Sequence, residues 1–480
     1  MTPPDRISGA YDPRAFGELG QRVLTQVTAH LRRALAGEGD VLNLRDPAGL
    51  LDETSGDFSA EAGDEGELEA WIERVAALSN QLHHPRFLGH QVSAPLPAAV
   101  LVEMACSLLN NGMAIWEMGQ LQTVMERRLV QWLCSKVGLG SQADGILTHG
   151  GSLGNLTALL AARQAKAGYD VWSEGQREPM TVLVSDQAHY CVARSVQIMG
   201  WGARGATGVP TDGRFRLRPE ALVGALERCQ SEGRRVLAVV ASSCSTAAGS
   251  FDPLEEIADF CAENNLWFHV DGAHGASLCL SERYRDPVRG IDRADSVVWD
   301  LHKLLGLPAL NTAVLFRDRR RSYEAFAQEA SYLFEPTGEH EWHQVGKRTL
   351  ECTKRALGVV GYTMLRHLGT DLFRDNVERL IGTARELADR LEAAPDFELA
   401  TYPEANILCF RHLPGDGRDL DQHQAGLRRH LLDSGSIYIT QAKLGAHLWL
   451  RVTVQNPFTG EAEIDALLSE LRRLGELDRA

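Results

Sequence analysis

The sequence predicts an α/β protein whose centre is a mostly parallel β-sheet covered by helices on both faces. Three observations carry this expectation. Six short apolar runs, at 146–148, 181–184, 236–240, 267–270, 297–299 and 312–316, alternate with helical patterns between most of them. The runs are mostly apolar rather than alternating with polar residues, as strands buried on both faces are. The chain has 480 residues, 44% apolar and 24% charged, enough for one large core and one or two smaller units.

Taken in order, residues 14–36 place Phe16, Leu19, Val23, Val27 and Leu31 at helical spacing, which predicts an amphipathic N-terminal helix. Residues 52–69 are acidic and small, a solvated loop and helix start with no chemistry assigned to it. Residues 1–83 thus form a helical arm that cannot bury its own apolar face and packs on the body or on a second subunit. His84-Pro85-Arg86-Phe87 opens a large domain over 84–365. Within it, the runs at 297–299 and 312–316 are joined too tightly for a crossover helix, so at least one pair is expected to be antiparallel. Residues 322–350 lack a clear period and read as a long loop of the kind that serves as a lid. A long helical pattern over 351–393 breaks near Gly369. Strand-like runs at 407–410, 436–440 and 447–454, then a helix bearing Ile464, Leu467, Leu468, Leu471 and Leu474, complete a small α+β domain over 366–480.

Composition narrows the partners. The formal net charge is −15, from 49 basic and 64 acidic residues, with no basic cluster of nucleic-acid type. Nine cysteines are scattered singly without a Cys-x-x-Cys pair, which fits a reducing compartment. The start, Met-Thr-Pro-Pro-Asp-Arg, lacks the apolar core of a signal peptide, and no run reaches membrane-spanning length. The expectation is a cytoplasmic protein that binds neither nucleic acid nor membrane.

Four strand ends carry candidate chemistry. Asp300-Leu301-His302-Lys303 delivers a lysine to the C-terminal end of an apolar run, where ligands gather in open α/β sheets. Loss of solvation there would disfavour the ammonium and free a nucleophile for a Schiff base, although a lone lysine at a strand end ordinarily just snorkels. Thr148-His149-Gly150-Gly151-Ser152 falls between a strand and the helical pattern 156–164, so backbone N–H groups and Ser152 could hold a phosphate; a Gly-Gly-Ser turn alone is as often a simple bend. Asp271, in His269-Val270-Asp271-Gly272-Ala273-His274, would need a cationic partner such as a protonated pyridine nitrogen, or would cap the next helix or pair with an arginine. His189 ends another run and could stack on an aromatic ring. No metal site is expected, because the histidines at 189, 269, 274 and 302 lack partners at zinc spacing. Phosphate donors, a stacking ring, an acid and a lysine together describe one ligand, pyridoxal 5'-phosphate.

As a set, Gly-Gly-Ser, Ala188-His189-Tyr190, His269 to His274 and Asp300 to Lys303 resemble the group II pyridoxal-phosphate-dependent amino acid decarboxylases, in family order over roughly 84 to 365. The resemblance implies a fold type I enzyme, a homodimer with active sites at the subunit interface, and conversion of an L-amino acid to its amine and CO2. It makes Lys303 the Schiff-base lysine, Asp271 the partner of the pyridine nitrogen and His189 the ring stacked on the cofactor. Gly151 and Ser152 fall on phosphate-binding positions with His302 beside them, Thr246 near the ring's 3-oxygen, and Ala273 under the ring. Ala330-Ser331-Tyr332-Leu333 resembles the catalytic loop, with Tyr332 the acid that returns a proton to Cα; keeping both His189 and Tyr332 favours plain decarboxylation. By analogy, Phe87, Leu88, His90, Gln91 and 113–118 line the pocket. Two departures stand out: Gly358 to Tyr362 lacks a usual lysine and tryptophan, and Gly272 replaces a commoner alanine. The segment 112–118 and the Asp-x-His-Lys pattern lean toward a diaminobutyrate- or glutamate-like substrate. The alternatives are an aromatic amino acid decarboxylase, oxidative deamination or retro-aldol cleavage on the same fold, and a non-catalytic cofactor-fold protein.

Overall fold

A computed structural model describes residues 6–55, 58, 66–326 and 342–477. Its centre is a seven-stranded sheet of β1 (Asp144–Thr148), β2 (Met180–Ser185), β3 (Ala206–Val209), β4 (Arg235–Ser242), β5 (Trp267–Asp271), β6 (Ser296–Asp300) and β7 (Thr312–Phe316). The strand order is β1-β7-β6-β5-β4-β2-β3. Pairs among β3, β2, β4, β5 and β6 are parallel, whereas β7 runs antiparallel to both β6 and β1. The tight link before β7 is thus the reversed connection that its length required. All six expected strands form, and their side chains are buried almost without exception.

The added strand, β3, was not legible. Ala-Thr-Gly-Val is short, contains glycine and forms the sheet's edge, where composition constrains it least.

Helix Gly151–Lys166 lies directly on this sheet, starting five residues before its apolar pattern does. Gly154 allows the approach: a Cβ there would stand 3.2 Å from side-chain carbons of Thr312 and Val314. The C-terminal ends of β1, β2, β4, β5 and β6 consequently open on one edge of the sheet, beside the start of this helix.

A second sheet, all antiparallel in the order β10-β11-β9-β8, comprises β8 (Phe397–Leu399), β9 (Ile407–His412), β10 (Thr440–Leu444) and β11 (His447–Thr453). The run expected as a strand at 436–440 is displaced. Ile437, Tyr438 and Ile439 are buried, but Tyr438 packs on Phe87 (ring centroids 5.2 Å) and accepts from Leu88 N (2.8 Å), so strand pairing starts only at Thr440. The 351–393 pattern resolves into helices Gly358–Leu368 and Thr370–Glu392, broken at Gly369, whose φ of +77° suits glycine. Residues 351–357 precede the helix because Lys354 is drawn inward, its Nζ donating to Glu126 Oε1 (2.6 Å) and Leu147 O (2.5 Å). In the N-terminal part, helices Pro13–Leu35 and Glu67–Leu78 pack on each other. No helix among the described residues is long and apolar enough to cross a membrane.

Candidate active site

The strand ends converge on one cleft. Gly151, Ser152, His189, Thr246, Asp271, Ala273 and Lys303 all line it, joined by Gln91, Asn155, Cys244, His274 and Asp300. His302 is buried just behind it: Nε2 lies 3.8 Å from Asp300 Oδ2, and its carbonyl accepts from Ser93 Oγ (2.9 Å). Tyr332 lies outside the described residues.

Gly150, at φ +94°, makes the turn that starts helix Gly151–Lys166, whose first residues, Gly151 and Ser152, line the cleft and carry backbone N–H groups with no acceptor inside the helix. Asp271 ends β5; its carboxylate accepts from Ala273 N (3.3 Å) and has no arginine or lysine at ion-pair distance among the described residues. Of the readings open for this acid, the arginine pair is absent. Gly272 replaces alanine for a local reason: a Cβ there would stand 3.0 Å from both Val298 O and Ala276 Cβ. Burial pushes His189 below the ordinary imidazole value, against the opposing pull of Asp271, which favours a neutral, stackable ring.

Lys303 departs from the expectation of a free amine. Burial does work to lower it, but Asp300 Oδ2 sits 3.0 Å from Nζ, and Asp300 with Asp271 outweighs desolvation and holds the lysine above its usual value. Burial likewise favours a neutral Asp300. Lys303, His302 and a 2.5 Å hydrogen bond from Thr312 Oγ1 overcome that and keep the carboxyl below the usual range. The apolar company of Val297, Val298 and Trp299 was legible in sequence; the carboxylate three residues before the lysine was visible, but not that it would turn inward.

The segment 113–118 does not line the cleft. Trp116 instead secures the far end of the lid-like stretch: its N donates to Gln344 Oε1 (3.2 Å), and its ring meets Trp342 edge-on at 6.2 Å. Arg127 lies 4.2 Å over the Trp342 ring. Phe87 and Leu88 belong to the core, while Gln91 does face the cleft.

Two residues escaped sequence reasoning. His274 Nε2 donates to Asn406 Oδ1 (2.6 Å), because the Asn406 amide nitrogen is committed to Val454 O (2.7 Å); Nδ1 is therefore a bare acceptor, without a partner among the described residues, on the cleft wall. Burial pushes this imidazole down to about 3. Arg451, on β11, is 4% exposed, yet among the described residues its Nε and Nη2 have no hydrogen-bond partner, while Nη1 reaches Thr440 Oγ1 (3.2 Å). It stands close enough to Cys244 and His274 to bear on the ionisation of both. An arginine in a C-terminal strand carries no local motif, so its only signal is its distance from any carboxylate once folded.

Phosphate donors at a glycine turn, an unpaired carboxylate, a neutral imidazole and a half-buried lysine, set at the strand ends of a mostly parallel sheet, fit pyridoxal phosphate and define a fold type I enzyme that uses it. The family model described as "Pyridoxal-dependent decarboxylase conserved domain" matches residues 61–413. The chain belongs to this family and is a pyridoxal-phosphate-dependent amino acid decarboxylase. It is similar to the cysteine sulfinic acid decarboxylase of Homo sapiens, 31% identical over 426 residues (84% of this chain, 85% of the relative). It is also similar to the acidic amino acid decarboxylase of Xenopus tropicalis, 28% identical over 419 residues (84% and 81%). The crystal structure of mouse CSAD superposes with a TM-score of 0.90 at 28% identity, covering 97% of this chain and 99% of that one.

Proposed function

We propose that the protein decarboxylates an L-amino acid with an acidic side chain, rather than the diaminobutyrate-like substrate that the sequence also admitted. Arg451 carries this reading. A buried guanidinium with free Nε and Nη2 is costly unless an anion completes it, and a carboxylate or sulfinate matches its planar donors. The leaving carboxylate is a poor candidate. It becomes neutral CO2, so a cation held on it would stabilise the ground state over the transition state. The distal acid keeps its charge throughout. A second ammonium, as in diaminobutyrate, would meet the guanidinium as a like charge. Two of the similar proteins bear names for acidic or sulfinic substrates, which supports the same reading.

In this reading Gly151 and Ser152 seat the phosphate, His302 buttresses them through Asp300, Ala273 and His189 flank the ring, and Thr246 serves its 3-oxygen. Asp271 holds a proton at the pyridine nitrogen. Lys303 anchors the cofactor and Tyr332 supplies the proton to Cα. Bound there, the cofactor supplies an electron sink for the pair released with CO2. Asn155, Cys244, His274 and Asp300 are buried in the cleft lining and limit the water admitted beside the reacting groups.

The working unit is a homodimer made from an arm over 1–83, a cofactor domain over 84–365 and a small domain over 366–480, acting in the cytoplasm. Its support is the helix Pro97–Leu109, which leaves Val100, Leu101, Met104, Leu108 and Leu109 exposed on a single chain. The test is CO2 release from cysteine sulfinate, aspartate, glutamate, 2,4-diaminobutyrate and aromatic amino acids. Turnover confined to the acids is expected, and preference for a basic or aromatic substrate overturns the proposal.

A further inference from the structure

Asp300 has only a supporting part in the reading above, yet it is the residue nearest the phosphate seat. Both its carboxylate oxygens come within 3.1 Å of where a Cβ on Gly151 would stand, closer than any atom outside Gly151's chain neighbours and its own helix backbone. The same carboxylate pairs with Lys303 Nζ at 3.0 Å and accepts from Thr312 Oγ1 at 2.5 Å. One side chain therefore touches both the place a phosphate must enter and the amine that must attack an aldehyde.

An ammonium has no lone pair, so the paired Lys303 is unreactive. A phosphate dianion arriving at Gly151 meets Asp300 as a like charge in a buried site, which favours the protonated form of the carboxyl. The nearest proton on a cationic donor is the one on Lys303 Nζ, 3.0 Å from Asp300 Oδ2.

We propose that entry of the cofactor's phosphate drives a proton from Lys303 Nζ to Asp300 Oδ2, so that the phosphate arms the lysine that will bind it. The inference rests on the cofactor assignment and concerns how the site loads. Charge balances: an ammonium and a carboxylate become an amine and a carboxylic acid, and no proton is exchanged with solvent. The proton moves toward the phosphate, because Asp300 lies nearer that seat than Lys303 does. The freed Nζ lone pair then forms a bond to the aldehyde carbon, and the aldehyde oxygen leaves as water with the two amine hydrogens.

The surroundings leave Lys303 as the proton source. His189, after β2, and His274, after β5, are pushed down by burial and neutral; the thiols of Cys191 and Cys244 are pushed up by burial and hold their protons. Asp271, on β5, faces the same lysine as a second carboxylate. His302 Nδ1 lies 3.1 Å from Asn311 N and 2.9 Å from Asn311 O, and its Nε2 lies 3.8 Å from Asp300 Oδ2.

The test uses the full chain freed of cofactor and follows the absorbance change as pyridoxal, which lacks the phosphate, condenses with it. At neutral pH the reaction is expected to be slow and to accelerate about ten-fold on adding inorganic phosphate, equivalent to one unit of displacement in the amine's titration. Asp300→Asn is expected to condense with pyridoxal rapidly without phosphate, to gain nothing from it, and to show a rate profile moved to lower pH by about a unit. Thr312→Val, which removes a bond that holds the carboxylate ionised, should move the profile the same way by less, and serves if Asp300→Asn does not fold. No phosphate acceleration in the wild type, or an unmoved pH profile in these variants, overturns the proposal. Failure of pyridoxal phosphate itself to condense with the wild type counts instead against the cofactor assignment.

Discussion

Replacing Arg451 with methionine should make the protein more stable and less efficient on acidic substrates. Among the described residues the guanidinium has two nitrogens without partners, and a buried unsatisfied polar group costs about 1–3 kcal/mol. Methionine removes that cost while filling much of the same space. Unfolding entropy is about 2.1 cal/mol/K per residue, so a chain of 480 residues has about 1 kcal/mol/K and each kcal/mol moves Tm by about 1 °C. Scanning calorimetry should therefore show the cofactor-free variant melting about 1–3 °C higher. Against this, a carboxylate loses at least one charge-assisted hydrogen bond of about 1.5–3 kcal/mol, a fall in kcat/KM of roughly 10- to 150-fold. The loss should fall mostly on KM, because a distal acid is bound alike in the ground and transition states. An Arg451→Met enzyme with unchanged kcat/KM for every acidic substrate would refute the reasoning, whatever its Tm.

Other outcomes follow from the same geometry. Lys303→Ala should abolish turnover and the cofactor's absorbance band while leaving the far-ultraviolet circular dichroism unchanged; surviving turnover would show that another group does the work. Lys354→Met leaves Glu126 buried without its partner and should cost about 3–5 kcal/mol in a denaturant titration, with much of it recovered in the Glu126→Gln, Lys354→Met double variant. His269 is fully buried between Ser296 Oγ and Asn155 Oδ1, at 2.8 Å each, and burial pushes it down from 6.5 to about 4. The unfolded chain then binds the extra proton first, so stability falls as pH drops from about 6.5 toward 4, by about 3 kcal/mol in all. His269→Gln should flatten that part of the Tm-against-pH curve. Gly154→Val should lift the helix start from the sheet and weaken pyridoxal phosphate binding in a fluorescence titration with little change in helix content.

The sheet was legible because its strands are buried on both faces, and continuous apolar runs such as Val236–Val240 say so without help from the rest of the chain. Edge strands lack that signal, which is why Ala206–Val209 and Phe397–Leu399 escaped, and why the buried Tyr438 run resembled a strand while serving as a plug against Phe87. At the site, residues within a strand-end motif could be named from sequence, since topology alone brings strand ends together. Arg451 and the acceptor on His274 could not, because their meaning lies in partners they do not have. The charge state of Lys303 was read backwards for a related reason: sequence shows an apolar neighbourhood, whereas the sign of the effect is decided by whether one carboxylate turns toward it.

The reversed strand β7 has a consequence for how the chain comes into being. β1 is hydrogen-bonded in the sheet to β7 alone, Thr148 opposite Thr312, so the strand that leads into the phosphate seat has no partner until a segment roughly 160 residues later has been made. At ordinary synthesis rates that is a delay on the order of ten seconds, during which Ile146 and Leu147, both buried in the finished protein, stand uncovered on a nascent chain. The cofactor cradle is therefore among the last parts of the large sheet to close. Shielding of this strand on the ribosome, more than the final stability of the sheet, should govern the yield of active protein.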